Sequence, residues 1–190
     1  MITTVAGYYG GASSPGYNLQ HDIEIVEVGY SEPITADEAR TYLRIEDLAI
    51  EDDMIDTMIT AARQAFEQAA QISLIEKTVT LWFSNPEGMY PIPVGPVQSI
   101  EHLYDEEDNE INSDEYEIIG NQYPKLKSPL QNFMKLEYTV GMTSVPSEIK
   151  QALLDQVYFL YEDRGNDGDK PLCEKVQKVV QKWSKYGFVA

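Results

Sequence analysis

Apolar residues recur at helical spacing in three segments of this chain, and each repeat predicts an amphipathic helix. The first of these segments follows an acidic cluster at residues 51–53, whose charges favour a helix N-terminus. Thr35 and Glu38 form a capping box, which predicts a further short helix upstream of it. The predicted helices cover residues 36–43, about 51–70, about 146–163, and a last segment that starts at Pro171.

Alternating and β-rich runs predict strands on both sides of the two upstream helices. A short strand with one solvated face is predicted over residues 22–28. Downstream, prolines and turn residues separate four more strand candidates, at residues 77–83, 97–104, 116–119 and 134–140. These candidates predict a small antiparallel β section over residues 76–140.

The order of these elements predicts an α+β fold. We expect mainly a helical bundle, with the small β section inserted between the long second helix and the C-terminal helices. Residues 1–20 are rich in glycine and serine and predict a flexible arm. Residues 21–170 form the predicted main domain, and residues 171–190 form an amphipathic helix and tail.

The charge of the chain excludes several classes of function. There are 14 Lys and Arg against 32 Asp and Glu, for a formal net charge of -18. Such a chain repels nucleic acids and acidic membranes, so general binding to either is not expected. The longest apolar runs are far below the roughly 20 residues of a membrane span. We therefore expect a folded protein in a soluble, reducing compartment, without a membrane partner.

No motif for catalysis, a metal or a cofactor is present in the sequence. One cysteine and two histidines exclude a disulfide within the chain and a Cys/His zinc site. The acidic run at residues 105–110 lacks the glycine and the final glutamate of a calcium loop, so a solvated hairpin ending near Tyr116 is the better interpretation. His102 lies in a predicted strand and is interpreted as a structural or rim residue instead of a general base. We therefore predict that the protein is not an enzyme.

Two segments of the chain differ in charge. Residues 101–117 hold nine acidic and no basic residues, whereas residues 171–190 hold four lysines and one acidic residue. Either the lysines occupy the solvated face of the last helix, or this helix meets an acidic surface of a neighbouring copy head to tail. The candidates for such an oligomer contact are Lys175, Lys178, Lys182, Asp105, Glu106, Glu107 and Asp108.

The last helix also carries an apolar stripe that has two interpretations. It either docks a partner or completes the core of the subunit. The candidates for docking are Leu172, Val176, Val179, Val180, Trp183 and Tyr186. In the N-terminal arm, Tyr8, Tyr9 and Tyr17 are candidates for contacts with a partner, because tyrosine is enriched at interfaces.

Several short motifs, taken in order, resemble the head-tail connector family of tailed bacteriophages, also called adaptor or head-completion proteins. The likeness extends from about Glu32 to Arg164. The motifs are Pro33-Ile34-Thr35, Glu38-Ala39-Arg40, Tyr42-Leu43-Arg44-Ile45, Asp52-Asp53, Ala61-Ala62-Arg63, Pro96-Val97-Gln98-Ser99-Ile100, Tyr138-Thr139-Val140-Gly141, Val145-Pro146 and Tyr161-Glu162-Asp163-Arg164.

The resemblance implies a structural protein of the virion, made in the host cytoplasm and placed at the neck. It implies a connector domain over residues 21–170 and a closed homo-oligomeric ring of about a dozen copies. The implied partners are the portal protein on one side, a downstream neck, stopper or tail protein on the other, and viral DNA that passes through the channel without specific binding.

Two other classes of function remain open from the sequence alone. An acidic protein that imitates DNA and inhibits a nucleic-acid-binding enzyme would also suit the charge of -18. A carbohydrate-binding or hydrolytic module would draw on Trp82, Tyr90 and the many carboxylates, and it is the weakest interpretation. Ring formation favours the connector, whereas a monomer or dimer that binds a basic enzyme favours the DNA mimic.

Overall fold

The chain divides into two units, each built from two separate stretches of sequence. Unit 1 comprises Met1–Tyr30 and Ile75–Met142, and unit 2 comprises Ser31–Leu74 and Thr143–Ala190. The computed structural model describes residues 4–5, 21–28, 31–45, 52–84, 88–120, 124–128, 133–163 and 172–184. The chain therefore leaves unit 1 after its first strands, builds half of unit 2, returns, and finally completes unit 2.

The described residues form eight strands, all in unit 1, and four helices, all in unit 2. In chain order they are β1 (Thr4–Val5), β2 (His21–Glu27), α1 (Ala36–Leu43), α2 (Asp52–Ala70), β3 (Lys77–Ser84), β4 (Met89–Pro91), β5 (Val97–Tyr104), β6 (Glu117–Ile119), β7 (Lys125–Lys127), β8 (Phe133–Val140), α3 (Ser147–Glu162) and α4 (Glu174–Trp183). Both sheets are antiparallel, one in the order β1-β2-β3-β8-β5 and the other in the order β4-β7-β6.

The core of unit 1 follows from the two-residue period of its central strands. Along β3, Val79, Leu81 and Phe83 are fully buried, and they alternate with partly exposed residues. Each of them lies opposite a buried residue of β8. The paired β8 residues are, in the same order, Tyr138, Leu136 and Met134. The small sheet contributes Tyr90, whose ring lies 4.2 Å from that of Phe83 between centroids. One continuous apolar cluster therefore holds the strands of both sheets.

Gly141 occupies a position after β8 that no other residue fits. Its φ of 140° lies where L side chains are strained. A Cβ atom there would lie 2.6 Å from the carbonyl oxygen of Ile75. The glycine that ends the run Tyr138-Thr139-Val140-Gly141 is therefore required by the close approach of two backbone segments within unit 1.

Unit 2 packs its helices around the predicted apolar stripe of α2. Ile55, Ile59 and Phe66 on this stripe are buried, and α2 packs against α3, with α1 and α4 contacting both. The capping box forms as predicted: the Thr35 hydroxyl accepts from the Glu38 backbone N–H at 3.1 Å, and Glu38 accepts from the Thr35 N–H at 2.7 Å. These bonds satisfy backbone donors at the start of α1.

The expectation of mainly a helical bundle with a small β insertion is wrong. Unit 1 is a β unit with its own apolar core, and its five-stranded sheet is as substantial an element as the helical unit. Two causes explain the error. First, β2 precedes the helices and pairs along its whole length with β3, which follows them. Second, β4 and β7 have three residues each and lie among prolines that suggest loops.

Candidate functional site

The first candidate surface is a turn of acidic residues in unit 1, which we call the acidic turn: Asp105, Glu106, Glu107 and Asp108. An isolated antiparallel bridge between Tyr104 and Glu110 closes it. Glu106, Glu107 and Asp108 are exposed. The carboxylate of Asp105 folds back instead, with Oδ1 accepting from the backbone N–H groups of Glu107 and Asn109, each at 2.9 Å.

These hydrogen bonds fix the shape of the acidic turn. Donation from Asn109, through its backbone N–H and then its side chain, and from the Glu107 N–H lowers the pKa of Asp105. At the base of the turn, His102 Nδ1 lies 2.8 Å from Glu110 Oε1, and this hydrogen bond raises the pKa of His102. The turn therefore presents three carboxylates on a backbone held from inside, rather than on a loose loop.

The hairpin expected between strands ending at Tyr104 and beginning near Tyr116 does not form in that way. The strand that follows Tyr116 is β6, which pairs with β7 in the small sheet and not with β5. The chain instead turns back early, and the Ile111 N–H donates to the Leu103 carbonyl at 2.8 Å. Tyr90 and Leu126 of the small sheet are buried in the core cluster of unit 1, and Ile118 of β6 packs against it, which favours pairing of β6 with β7 instead of β5.

The apolar stripe of the last helix lies largely inside unit 2. Leu172, Val176 and Val180 are at most 7% exposed. Val179 and Trp183 are partly exposed. The α4 helix packs against α2 and α3, which cover this stripe. Of the six docking candidates, three are therefore covered within the unit and two are partly accessible, whereas Tyr186 lies outside the described residues.

The three lysines of α4 are exposed, and each has an acidic neighbour within unit 2. Lys182 Nζ lies 2.7 Å from Glu148 Oε2, Lys178 Nζ lies 3.5 Å from Glu174 Oε1, and Lys175 Nζ lies 3.9 Å from Asp155 Oδ1. Glu148 also accepts from the indole N–H of Trp183 at 3.1 Å. Donation from Lys182 and then from Trp183 lowers the pKa of Glu148. The positive charge of α4 is therefore partly neutralised by its own unit.

The tyrosines of the arm, Tyr8, Tyr9 and Tyr17, lie outside the described residues. Within the described ranges, no group of three or more His, Cys, Asp or Glu side chains is arranged to hold a metal ion. Of the four helices that the structure describes, none has the length and apolar character that a membrane span requires.

Unit 2 also contains a buried charged cluster that was not predicted from the sequence. Arg63 on α2 is fully buried, with Nε 2.8 Å from Glu32 Oε2 and Nη1 2.8 Å from Glu67 Oε2. Glu67 also accepts from the Leu74 backbone N–H at 2.7 Å. Glu32 and Leu74 lie at the two ends of the first half of unit 2. The signal for this cluster was an Arg and a Glu four residues apart beside an apolar stripe.

Comparison with known proteins identifies a family that fits this architecture. The sequence matches the family model described as "Head completion protein" over residues 32–182, which confirms the resemblance that the sequence motifs indicate. No curated protein matches the chain in sequence. The matched range includes α1, α2, α3, α4 up to residue 182 and the strands from β3 to β8, and thus parts of both units.

Solved structures of similar fold come from particle necks and virions. A chain of "Virion of native gene transfer agent (GTA) particle" is 20% identical with a TM-score of 0.68, and the alignment covers 84% of this chain and 94% of that chain. A chain of "Neck of empty GTA particle computed with C6 symmetry" gives the same values. A chain of "Neck of native GTA particle computed with C12 symmetry" has 16% identity, a TM-score of 0.61 and the same coverage. At these identities the likeness shows a shared fold.

Proposed function

The chain belongs to the head completion protein family, and on that premise we propose that it is a structural protein of the head–tail junction in a tailed-phage particle, with no enzymatic activity of its own. The observation that carries the proposal is the family match over residues 32–182, which spans helices of unit 2 and strands of unit 1 together. The folds of neck chains from GTA particles support it.

The protein acts as a closed ring of identical copies. Support comes from the neck structures of similar fold, which were computed with C6 and C12 symmetry. A ring requires heterologous contacts, in which one surface of a copy meets a different surface of the next. A chain whose exposed acidic turn and exposed lysines lie on separate elements has such complementary surfaces. About a dozen copies, the number implied by the family resemblance, close the ring.

The ring sits in the virion neck, after assembly in the host cytoplasm, and joins two partners. One face attaches to the portal protein, and the other docks the next neck, stopper or tail protein. Because Leu172, Val176 and Val180 are covered within unit 2, the docking role of α4 falls on Val179, Trp183 and the following Tyr186. The N-terminal arm, with Tyr8, Tyr9 and Tyr17, provides a further contact.

The ring also extends the channel through which DNA passes, and its acidic surplus suits that role. Duplex DNA carries one negative charge per about 1.7 Å of helix axis, so a basic wall would hold it and an acidic wall lets it slide. Part of the surplus behind the net charge of -18 therefore lines the channel. DNA passes without specific binding. An inner wall on which lysines outnumber carboxylates would contradict this assignment.

Removal of the gene tests the neck role. Without this chain we expect filled heads and complete tails that do not join, because the ring supplies the surface on which the tail docks. Electron microscopy of lysates counts joined and separate parts, and supplying the intact chain from a plasmid should restore joining. Normal yields of tailed particles without the chain would contradict the proposal.

A further inference from the structure

The outer face of the small sheet is an exposed surface that the proposed function does not use. The register places Met89, Lys127 and Glu117 in one row across β4, β7 and β6, and Pro91, Lys125 and Ile119 in the next. All six residues are exposed, whereas the residues between them, Tyr90, Leu126 and Ile118, face the core of unit 1. Met89 is 44% exposed and Ile119 is 38% exposed.

This face concentrates the accessible positive charge of a strongly acidic unit. Unit 1 contains fifteen Asp and Glu residues but only four lysines and no arginine. Lys77 is 12% exposed beside Glu27, and Lys135 pairs with Glu137 at 2.9 Å and lies over the Tyr104 ring. The other two lysines, Lys125 and Lys127, are the exposed ones, and both lie on the outer face of the small sheet.

Lys125 differs from Lys127 and from the α4 lysines in how far its charge is neutralised. Lys127 Nζ lies 3.5 Å from Glu117, which is itself 65% exposed. Among the ion pairs of the described residues, none involves Lys125, whose cross-strand neighbours are Pro91 and Ile119. Each α4 lysine, by contrast, already has an acidic neighbour within unit 2. Lys125 is therefore the lysine best placed to receive a carboxylate from another molecule.

The matching acidic group is present on the chain itself. The acidic turn is exposed, and the hydrogen bonds of Asp105 hold its backbone in shape, so little conformational entropy is lost when it binds. No ion pair in the described structure joins its carboxylates to Lys125 or Lys127. Flanking apolar side chains such as Met89 and Ile119 would exclude water from a lysine–carboxylate pair and strengthen it beyond an ordinary surface pair.

We propose that, in the ring, the outer face of the small sheet of one copy receives the acidic turn of the next copy. The inference rests on the proposed ring and assigns its basic contact to Lys125 and Lys127 instead of the α4 lysines. The contact is heterologous, because the turn and the sheet face are different surfaces of the same unit, and heterologous contacts form a ring when the rotation between successive copies closes.

Chemical cross-linking in assembled particles tests this assignment. In a Cys173→Ser background, Glu107→Cys on the turn is combined with Lys125→Cys on the sheet face, and a short bis-maleimide is added to purified particles. A head-to-tail contact links every copy to the next, so a denaturing gel should show a ladder that extends well beyond the dimer. The matched control combines Glu107→Cys with Lys178→Cys on α4 and should give no ladder.

Three results overturn the inference. They are a ladder from the α4 control, a ladder from neither pair, and a product of the sheet pair confined to the monomer, which would mean that both surfaces meet within one copy. Failure of the proposed function looks different, because unmodified particles would then lack this chain altogether.

The Cys173→Ser substitution should change the stability of unit 2 little, since serine is favoured at the N-cap position that Cys173 holds in α4.

Charge exchange gives an independent measurement that does not depend on cysteine chemistry. Glu107→Lys alone and Lys125→Glu alone should each reduce incorporation of the chain into particles at least about tenfold, because like charges then meet in the contact. The two changes together should restore incorporation to within about threefold of the unmodified chain. Restoration by Lys178→Glu in place of Lys125→Glu would overturn the inference.

Discussion

Removing residues 171–190 is expected to prevent unit 2 from folding. The deletion strips Leu172, Val176 and Val180 from the core, and burial of each such side chain contributes about 1.5–3 kcal/mol. Their sum is comparable to the whole stability of a typical domain, about 5–15 kcal/mol. We expect insoluble protein, or soluble protein whose helical circular dichroism and cooperative thermal unfolding are lost.

Two point variants separate the core role of α4 from a docking role. Val176→Ala removes part of a fully buried side chain and should lower the stability of the chain. Trp183→Ala alters a partly exposed side chain, so it should fold and yet impair joining to the tail. A truncated chain that keeps its helical signal and unfolds cooperatively would show that α4 is dispensable for the core.

Replacing Arg63 with alanine is expected to destabilise unit 2 by about 3–5 kcal/mol. The substitution leaves the carboxylates of Glu32 and Glu67 without their guanidinium partner, and Glu67 is only 6% exposed. A buried carboxylate without a counter-charge is costly because the low dielectric favours its neutral form. Urea unfolding followed by circular dichroism at neutral pH measures the loss.

Three further variants test the cause of that loss. Arg63→Lys keeps the charge but loses the planar guanidinium that reaches both Glu32 and Glu67. The stability of this variant should therefore lie between those of the wild type and of Arg63→Ala. Combining Arg63→Met with Glu32→Gln and Glu67→Gln should recover much of the stability, because no buried charge is left unpaired. Lys178→Ala, which breaks an exposed pair with Glu174, should change stability by less than about 1 kcal/mol. Equal losses for Arg63→Ala and Lys178→Ala would contradict the buried-cluster account.

Local signals in the sequence were sufficient for the helices and the longer strands. Thr35 and Glu38 mark the start of α1 by a chemistry confined to four residues, and the stripe through Ile55, Ile59 and Phe66 identifies the buried face of α2. The bounds of β5, Val97–Tyr104, coincide with the prediction. Each of these features depends on neighbours in sequence, which a single chain displays directly.

What could not be predicted depends on partners distant in sequence. The pairing of Asp22 with Trp82 joins β2 to β3 across the whole first half of unit 2, and no local pattern specifies it. The same holds for the candidate surfaces. The α4 stripe has the same spacing whether α3 or another protein covers it. The position of Lys125 between Pro91 and Ile119 arises only when β4 and β6 pair with β7.

Cryo-electron microscopy of the necks of intact particles tests the central claim most directly. We predict a closed ring of this chain between the portal and the tail, with carboxylates outnumbering lysines on the inner wall and DNA or empty channel along the axis. A neck without this chain would contradict the account. So would a chain found only as a free monomer or dimer bound to a nucleic-acid-binding enzyme, which is the behaviour of a DNA mimic.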